Sequence, residues 1–196
     1  MINYSHLKFP PLKYKQMKSL PDKLVYGKSY RYGNSIIDEF VMFSTKPDSN
    51  GTTTMRCVPK YIERDGQKYV PSLYIGFLFS SIPDHGFGTA MLNYAKAYSR
   101  QIGCGGRFHV YASSGLMPNR IPHPFYKKYG MNTGDTYIDN KLDKLIRKNK
   151  NAAWRDFDEM YMYYPPILPN KKYKKSILEV LKNFFRSSIK NKKADN

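Results

Sequence analysis

Five consecutive residues, His85-Gly86-Phe87-Gly88-Thr89, stand where an apolar run gives way to an amphipathic one. Two glycines in such a place let the backbone approach a ligand closely and take up angles other residues resist. If a helix begins there, its first amide N–H groups have no helical acceptor and favour an anion. The chemistry this points to is recognition of a phosphate or pyrophosphate, with the Thr89 hydroxyl as an added donor. The same glycines equally suit a tight turn with close helix–sheet packing, so the loop by itself leaves both readings open. Elsewhere the chain shows no zinc-type Cys/His grouping, so no metal is expected, and no covalent nucleophile motif.

The elements that would position this loop can be read from periodicity. Residues 70–131 run strand, glycine loop, helix, strand and then a short helix ending at a glycine. Residues 73–79 are a nearly unbroken apolar and aromatic run of strand length. Met91, Leu92, Ala95 and Tyr98 then recur at helical spacing, and Gly103, Gly105 and Gly106 stop that helix. Residues 107–112 form the second strand. Two strands joined by a crossover helix are parallel neighbours in one sheet, and ligands sit where such a strand turns into the helix.

Over about these sixty residues the chain resembles the GNAT family of acyl-CoA-dependent N-acetyltransferases. Its acyl-CoA loop, (Gln/Arg)-x-x-Gly-x-(Gly/Ala), is similar to Pro83-Asp84-His85-Gly86-Phe87-Gly88, with Pro83 in place of the Gln or Arg. The family's later signature, an Asn followed seven residues on by a Tyr, is matched by Asn119 and Tyr126, with Lys128, Gly130 and Met131 after them. The resemblance implies acetyl-CoA as co-substrate. Pantetheine would run along the backbone of Leu78, Phe79 and Ser80. The diphosphate would lie on the N–H groups of His85, Gly86, Phe87, Gly88, Thr89 and Ala90. Asn119 would orient the pantetheine or the loop, or cap the helix near Pro122. Tyr126 would be the acid that protonates the departing thiolate. His85 and His123 read as loop residues rather than catalytic ones. The base is not selected by spacing: Asp38, Glu39, Glu63, Asp158 and Glu159 are candidates, and the ordinary place of a strand carboxylate is solvent.

The expected fold is α/β, a mixed central sheet flanked by helices, the acyl-CoA N-acyltransferase fold, with residues 1–168 as the domain. Residues 1–33 are Lys- and Tyr-rich with poor periodicity, which predicts a short strand or helical turn among loops. Strands are predicted over 35–45, 52–63 and 68–80 as an antiparallel meander, a basic helix over 139–150, and a last strand over 156–164 ended by Pro165 and Pro166. Residues 169–196 form a second unit, a basic amphipathic helix over 173–190 with Ile177, Leu181, Phe184 and Ile189 on one side, and a tail.

The formal net charge is +18, from 33 Lys and Arg against 15 Asp and Glu. Such a balance attracts nucleic acid, anionic membrane or acidic proteins, or is simply a solvated basic surface. Cys57 and Cys104 form no disulfide framework, which suits two reduced thiols in a cytoplasmic protein. No secretory h-region and no membrane-length apolar run is present, so an integral membrane protein is not expected. The leading expectation is an N-acetyltransferase acting on an amine of a small molecule, a protein or an aminoacyl-tRNA, as a monomer or homodimer. The alternative is a non-catalytic nucleic-acid-binding module of the same fold.

Overall fold

The structure is a computed structural model that describes residues 15–16, 23–44, 51–113, 121–148, 157 and 159–169. Its class is mixed α/β. Seven strands form one sheet in chain order: β1 (Lys15–Gln16), β2 (Lys23–Tyr32), β3 (Ser35–Ser44), β4 (Thr52–Arg64), β5 (Gln67–Ser80), β6 (Phe108–Ala112) and β7 (Met160–Tyr164). Helix α1 (Phe87–Gln101) crosses from β5 to β6, while α2 (His123–Lys128) and α3 (Thr136–Arg147) lie between β6 and β7. All neighbouring strands are antiparallel except β5 and β6, the pair joined by α1.

The hairpins follow from turn chemistry. Asp65 and Gly66, both at positive φ, join β4 to β5 in the two-residue form that an Asp-Gly pair favours. Gly33, at φ 57, opens the two-residue turn between β2 and β3.

Strand β2 is longer than the short strand or helical turn expected among loops over residues 1–33. Its ten residues pair with β3 along their whole length. Register puts Gly27 and Ser29 on the same side as buried Val25, and Ser29 bonds the carboxylate of Asp38 across the ladder. An inward row containing a glycine and a serine hides the period of two that would have announced a strand.

The first face of the sheet is apolar and sulfur-rich. Phe40, Met42, Met55, Cys57, Leu73, Ile75, Phe108, Val110 and Met162 are buried there against Phe87, Ala90, Met91, Leu92 and Ala95 of α1. Helix α2 joins the same side through Tyr129, whose ring meets Phe108 and Tyr164. Helix α3 begins at residue 136 rather than 139 because the Asp135 side chain accepts from the amides of Tyr137 and Ile138, a standard N-cap. β7 starts at residue 160 rather than 156. The helix expected over 173–190 lies outside the described residues.

Asp38 and Glu39 are not at the surface. Both are buried, 9% and 8% exposed. Asp38 accepts from Ser29 Oγ at 2.6 Å and from the Tyr98 phenol at 2.7 Å. Glu39 pairs with Lys28 and Arg56, which outweigh the cost of burial and hold its carboxyl below the usual range. Partners that long-range pairing brings to these carboxylates are what allow them inside.

Candidate functional site

Strands β5 and β6 pair over only Leu73↔Phe108, Tyr74↔His109 and Ile75↔Val110. Past that point each keeps its other neighbour, β5 staying on β4 to Ser80 and β6 on β7 to Ala112. One edge of the end of β5, with Leu78, Phe79 and Ser80, therefore has no ladder with β6. A bulge marks where the strands part: Cys57 faces Ile75 and Arg56 faces Phe77, which leaves Gly76 as an inserted residue. Bulges bend and twist the strand that carries them.

The loop after β5 turns into α1 at this opening. Asp84 and Gly86 have positive φ, and His85 between them does not. Alternation of that kind turns successive backbone N–H groups toward one concavity, an anion-binding arrangement. Gly86 is the N-cap, with no side chain capping the helix and no acid in its first turn. The first helical bond is from Ala90 N to Gly86 O at 2.9 Å. The amides of Phe87, Gly88 and Thr89 thus precede the ladder, whereas the Ala90 amide, expected among the diphosphate donors, is taken up by it.

Side chains divide the expected cofactor residues further. Thr89, His85 and Gly86 are exposed. His85 Nδ1 lies 2.7 Å from the Pro83 carbonyl oxygen. Phe87 and Ala90 are buried and would contribute backbone only. A Cβ at Gly88 would sit 3.0 Å from Phe125 Cζ, so this glycine serves the close packing of α1 on α2. Gly86 has φ 76 and open space where a Cβ would be. The two glycines of the loop therefore have different jobs: Gly88 allows close packing and Gly86 makes the left-handed turn that opens the helix. On β5, Ser80 Oγ is bonded to Thr53 and to the Ile82 carbonyl, Leu78 packs on the core, and Phe79 is 39% exposed.

Tyr126 lies in α2, one residue after the Phe125 that touches Gly88. The distance from Tyr126 to Gly130 has a structural reason. Gly130 N donates to Lys127 O and Met131 N to Tyr126 O, the paired bonds that close a helix with a left-handed glycine. Tyr126 is 7% exposed, and its hydroxyl makes no hydrogen bond to the described residues. Burial pushes its phenol above the usual range, so it stays protonated across the physiological pH range. Asn119 and Asp158 lie outside the described residues.

Among the other candidate bases, Glu63 is exposed on β4. Glu159, just before β7, accepts a hydrogen bond from Ser113 Oγ just after β6, and stands beside the Tyr111 phenol. That is the end toward which β5 and β6 part. Nothing in the sequence spacing ties Glu159 to Ser113; only the register of β6 on β7 does. His123 is buried at the start of α2, stacked on Phe157. Among the described residues no group of His, Cys, Asp or Glu could hold a metal ion, and no helix is long and apolar enough to cross a membrane. No family model, curated protein or solved structure matches the chain.

Proposed function

We propose that this chain is an acyl-CoA-dependent N-acyltransferase of the acyl-CoA N-acyltransferase fold that moves an acetyl group from acetyl-CoA to a primary amine. The observation that carries the reading is the parting of β5 from β6 after Ile75 and Val110, directly beside the uncapped start of α1. A free strand edge offers amide-like pantetheine the hydrogen bonds a neighbouring strand would make. A helix start with no acid in its first turn suits the diphosphate. The residues present fit the co-substrate: backbone of Leu78, Phe79 and Ser80 for the pantetheine, and backbone from His85 to Thr89 for the diphosphate.

In the step itself the neutral amine attacks the thioester carbonyl, a C–N bond forms, and the C–S bond breaks. The thiolate must gain a proton and the ammonium nitrogen must lose one. Tyr126 supplies the first. Burial keeps its phenol protonated, so the proton is in place for the thiolate as the C–S bond breaks, and the phenolate left behind regains a proton from solvent once the products leave. Glu159, bonded to Ser113 at the end where β5 and β6 part, is the group proposed to take the second proton through water.

A thermal melt with and without acetyl-CoA tests the reading. Ligand at about 100 times its dissociation constant adds roughly 2.7 kcal/mol. For a chain of this size that is a rise of roughly 5–11 °C. No rise at saturating acetyl-CoA would remove the proposed site.

A further inference from the structure

The second face of the sheet differs in chemistry from the first. Strand alternation places Tyr74 and Phe77 of β5, His109 and Tyr111 of β6, and Tyr161 and Tyr163 of β7 on it. The rings of Tyr74, Tyr111, Tyr161 and Tyr163 are joined through one another and through the buried His109, while Phe77 stands apart beside Phe79. Tyr111 and Tyr161 have centroids 4.9 Å apart, Tyr74 and His109 5.1 Å, and His109 and Tyr163 6.0 Å. Tyr111 and Tyr161 are 42% and 45% exposed. Two cations lie over this surface, Lys60 Nζ at 4.2 Å from the Tyr74 centroid and Arg56 at 5.3 Å from that of Phe77. Arg56 is paired with Glu39, whereas Lys60 has no ion pair among the described residues. Since α1 and α2 pack on the first face and α3 on α2, no described helix covers the second.

Charge selects the occupant. A second copy of a chain with net charge +18 would bring like charge to the surface, and so would the basic segment 173–190. Burial in a bilayer rests on side chains such as Trp, Phe and Leu that enter the acyl region, and β6 and β7 present only His and Tyr here. Aromatic π faces interleaved with cations match a polyanion that carries flat bases. We propose that this face binds single-stranded nucleic acid, with bases stacked on Tyr111 and Tyr161 and a phosphate held by Lys60. The proposal does not depend on acyl transfer.

Fluorescence anisotropy of a labelled oligouridine with the full chain tests it. Changing Tyr111 and Tyr161 together to Leu keeps apolar bulk and removes both π faces. Binding should weaken by roughly fivefold to 150-fold for each base unstacked. Changing both to Phe keeps the rings and should leave binding within about twofold, since stacking carries the contact. Lys60→Gln should lower the slope of log affinity on log salt by about one. The acetyl-CoA melting shift should persist in the Leu variant, which separates this face from the proposed cofactor site. Equal binding by wild type and the Leu variant overturns the proposal. So does capture of the chain by phosphatidylserine vesicles that is lost in the Leu variant while oligouridine binding is kept. Photocrosslinking of iodouridine oligomers to the wild type reads the site without any variant. Adducts on Tyr111 or Tyr161 support it, and adducts confined to residues 170–196 overturn it.

Discussion

Thr89→Glu separates ligand binding from folding at the start of α1. Thr89 is the exposed third residue of that helix, whose first turn holds no acid. A carboxylate there meets the positive end of the helix dipole and stabilises the free protein by about 0.3–1 kcal/mol. At about 2–4 °C per kcal/mol, the unliganded melting temperature should rise by about 1–4 °C. The same carboxylate would stand within ~5 Å of a diphosphate held by the first-turn amides. At an effective dielectric of ~20 each like-charge pair costs about 3 kcal/mol, which weakens binding by ~100-fold or more. At an acetyl-CoA concentration of about 100 times the wild-type dissociation constant, the remaining stabilisation is then about 0.4 kcal/mol. The ligand shift should fall from roughly 5–11 °C to about 1–2 °C. Differential scanning fluorimetry of both proteins, with and without acetyl-CoA, reads all four values. A Thr89→Glu protein that melts no lower than wild type and still shows the full shift would refute the placement of the diphosphate at α1. This variant is cleaner than a change at Gly88, where Phe125 leaves no room for a side chain and stability would fall for reasons of packing.

Once an acceptor is found, Tyr126→Phe should cut turnover by about 100- to 10,000-fold, the range for a lost general acid, while the acetyl-CoA melting shift survives. Unchanged turnover over a range of pH would remove Tyr126 as the acid. His109 is buried with its Nδ1 2.8 Å from Ser72 Oγ, and burial, reinforced by Lys60, depresses its pKa to about 4. Its folded value lies below the unfolded 6.5, so the stability it contributes is present above that value and is lost as pH falls toward 4. Urea midpoints should show a loss of about 2 kcal/mol between pH 7 and pH 5, and His109→Phe should flatten that slope whatever it does to stability at pH 7. An equal slope in the variant would assign the acid sensitivity elsewhere. Tyr98→Phe removes one of the two side-chain hydrogen bonds to the buried Asp38 carboxylate and should cost about 1.5–3 kcal/mol in denaturant unfolding; a change under ~0.5 kcal/mol would mean that Ser29 alone satisfies Asp38.

The order of elements from β3 to β7 was legible in the sequence because each rule used there is local. Turn residues at Asp65 and Gly66, helical spacing from Met91 to Tyr98 and the glycines after residue 102 act through neighbours a few positions away. The glycine loop was legible as a place where the backbone does something unusual. Which glycine does what was not: Gly88 is defined by the ring of Phe125, far along the chain, and Gly86 by its own left-handed conformation. The parting of β5 from β6 is likewise a tertiary fact, since it depends on which outer neighbour each strand keeps. β2 escaped notice because its inward row needs Asp38 of β3 to make sense of Ser29. Asp38 and Glu39 read as ordinary surface acids until pairing supplied Tyr98 and Arg56 as partners, and Glu159, which is exposed, gains Ser113 in the same way. Type and spacing determined the elements and the residues fit for chemistry. Only long-range register decided which carboxylates are buried, where the sheet opens, and that one face packs under helices while the other gathers Tyr and His, because alternation along a strand has no meaning until its neighbours are known.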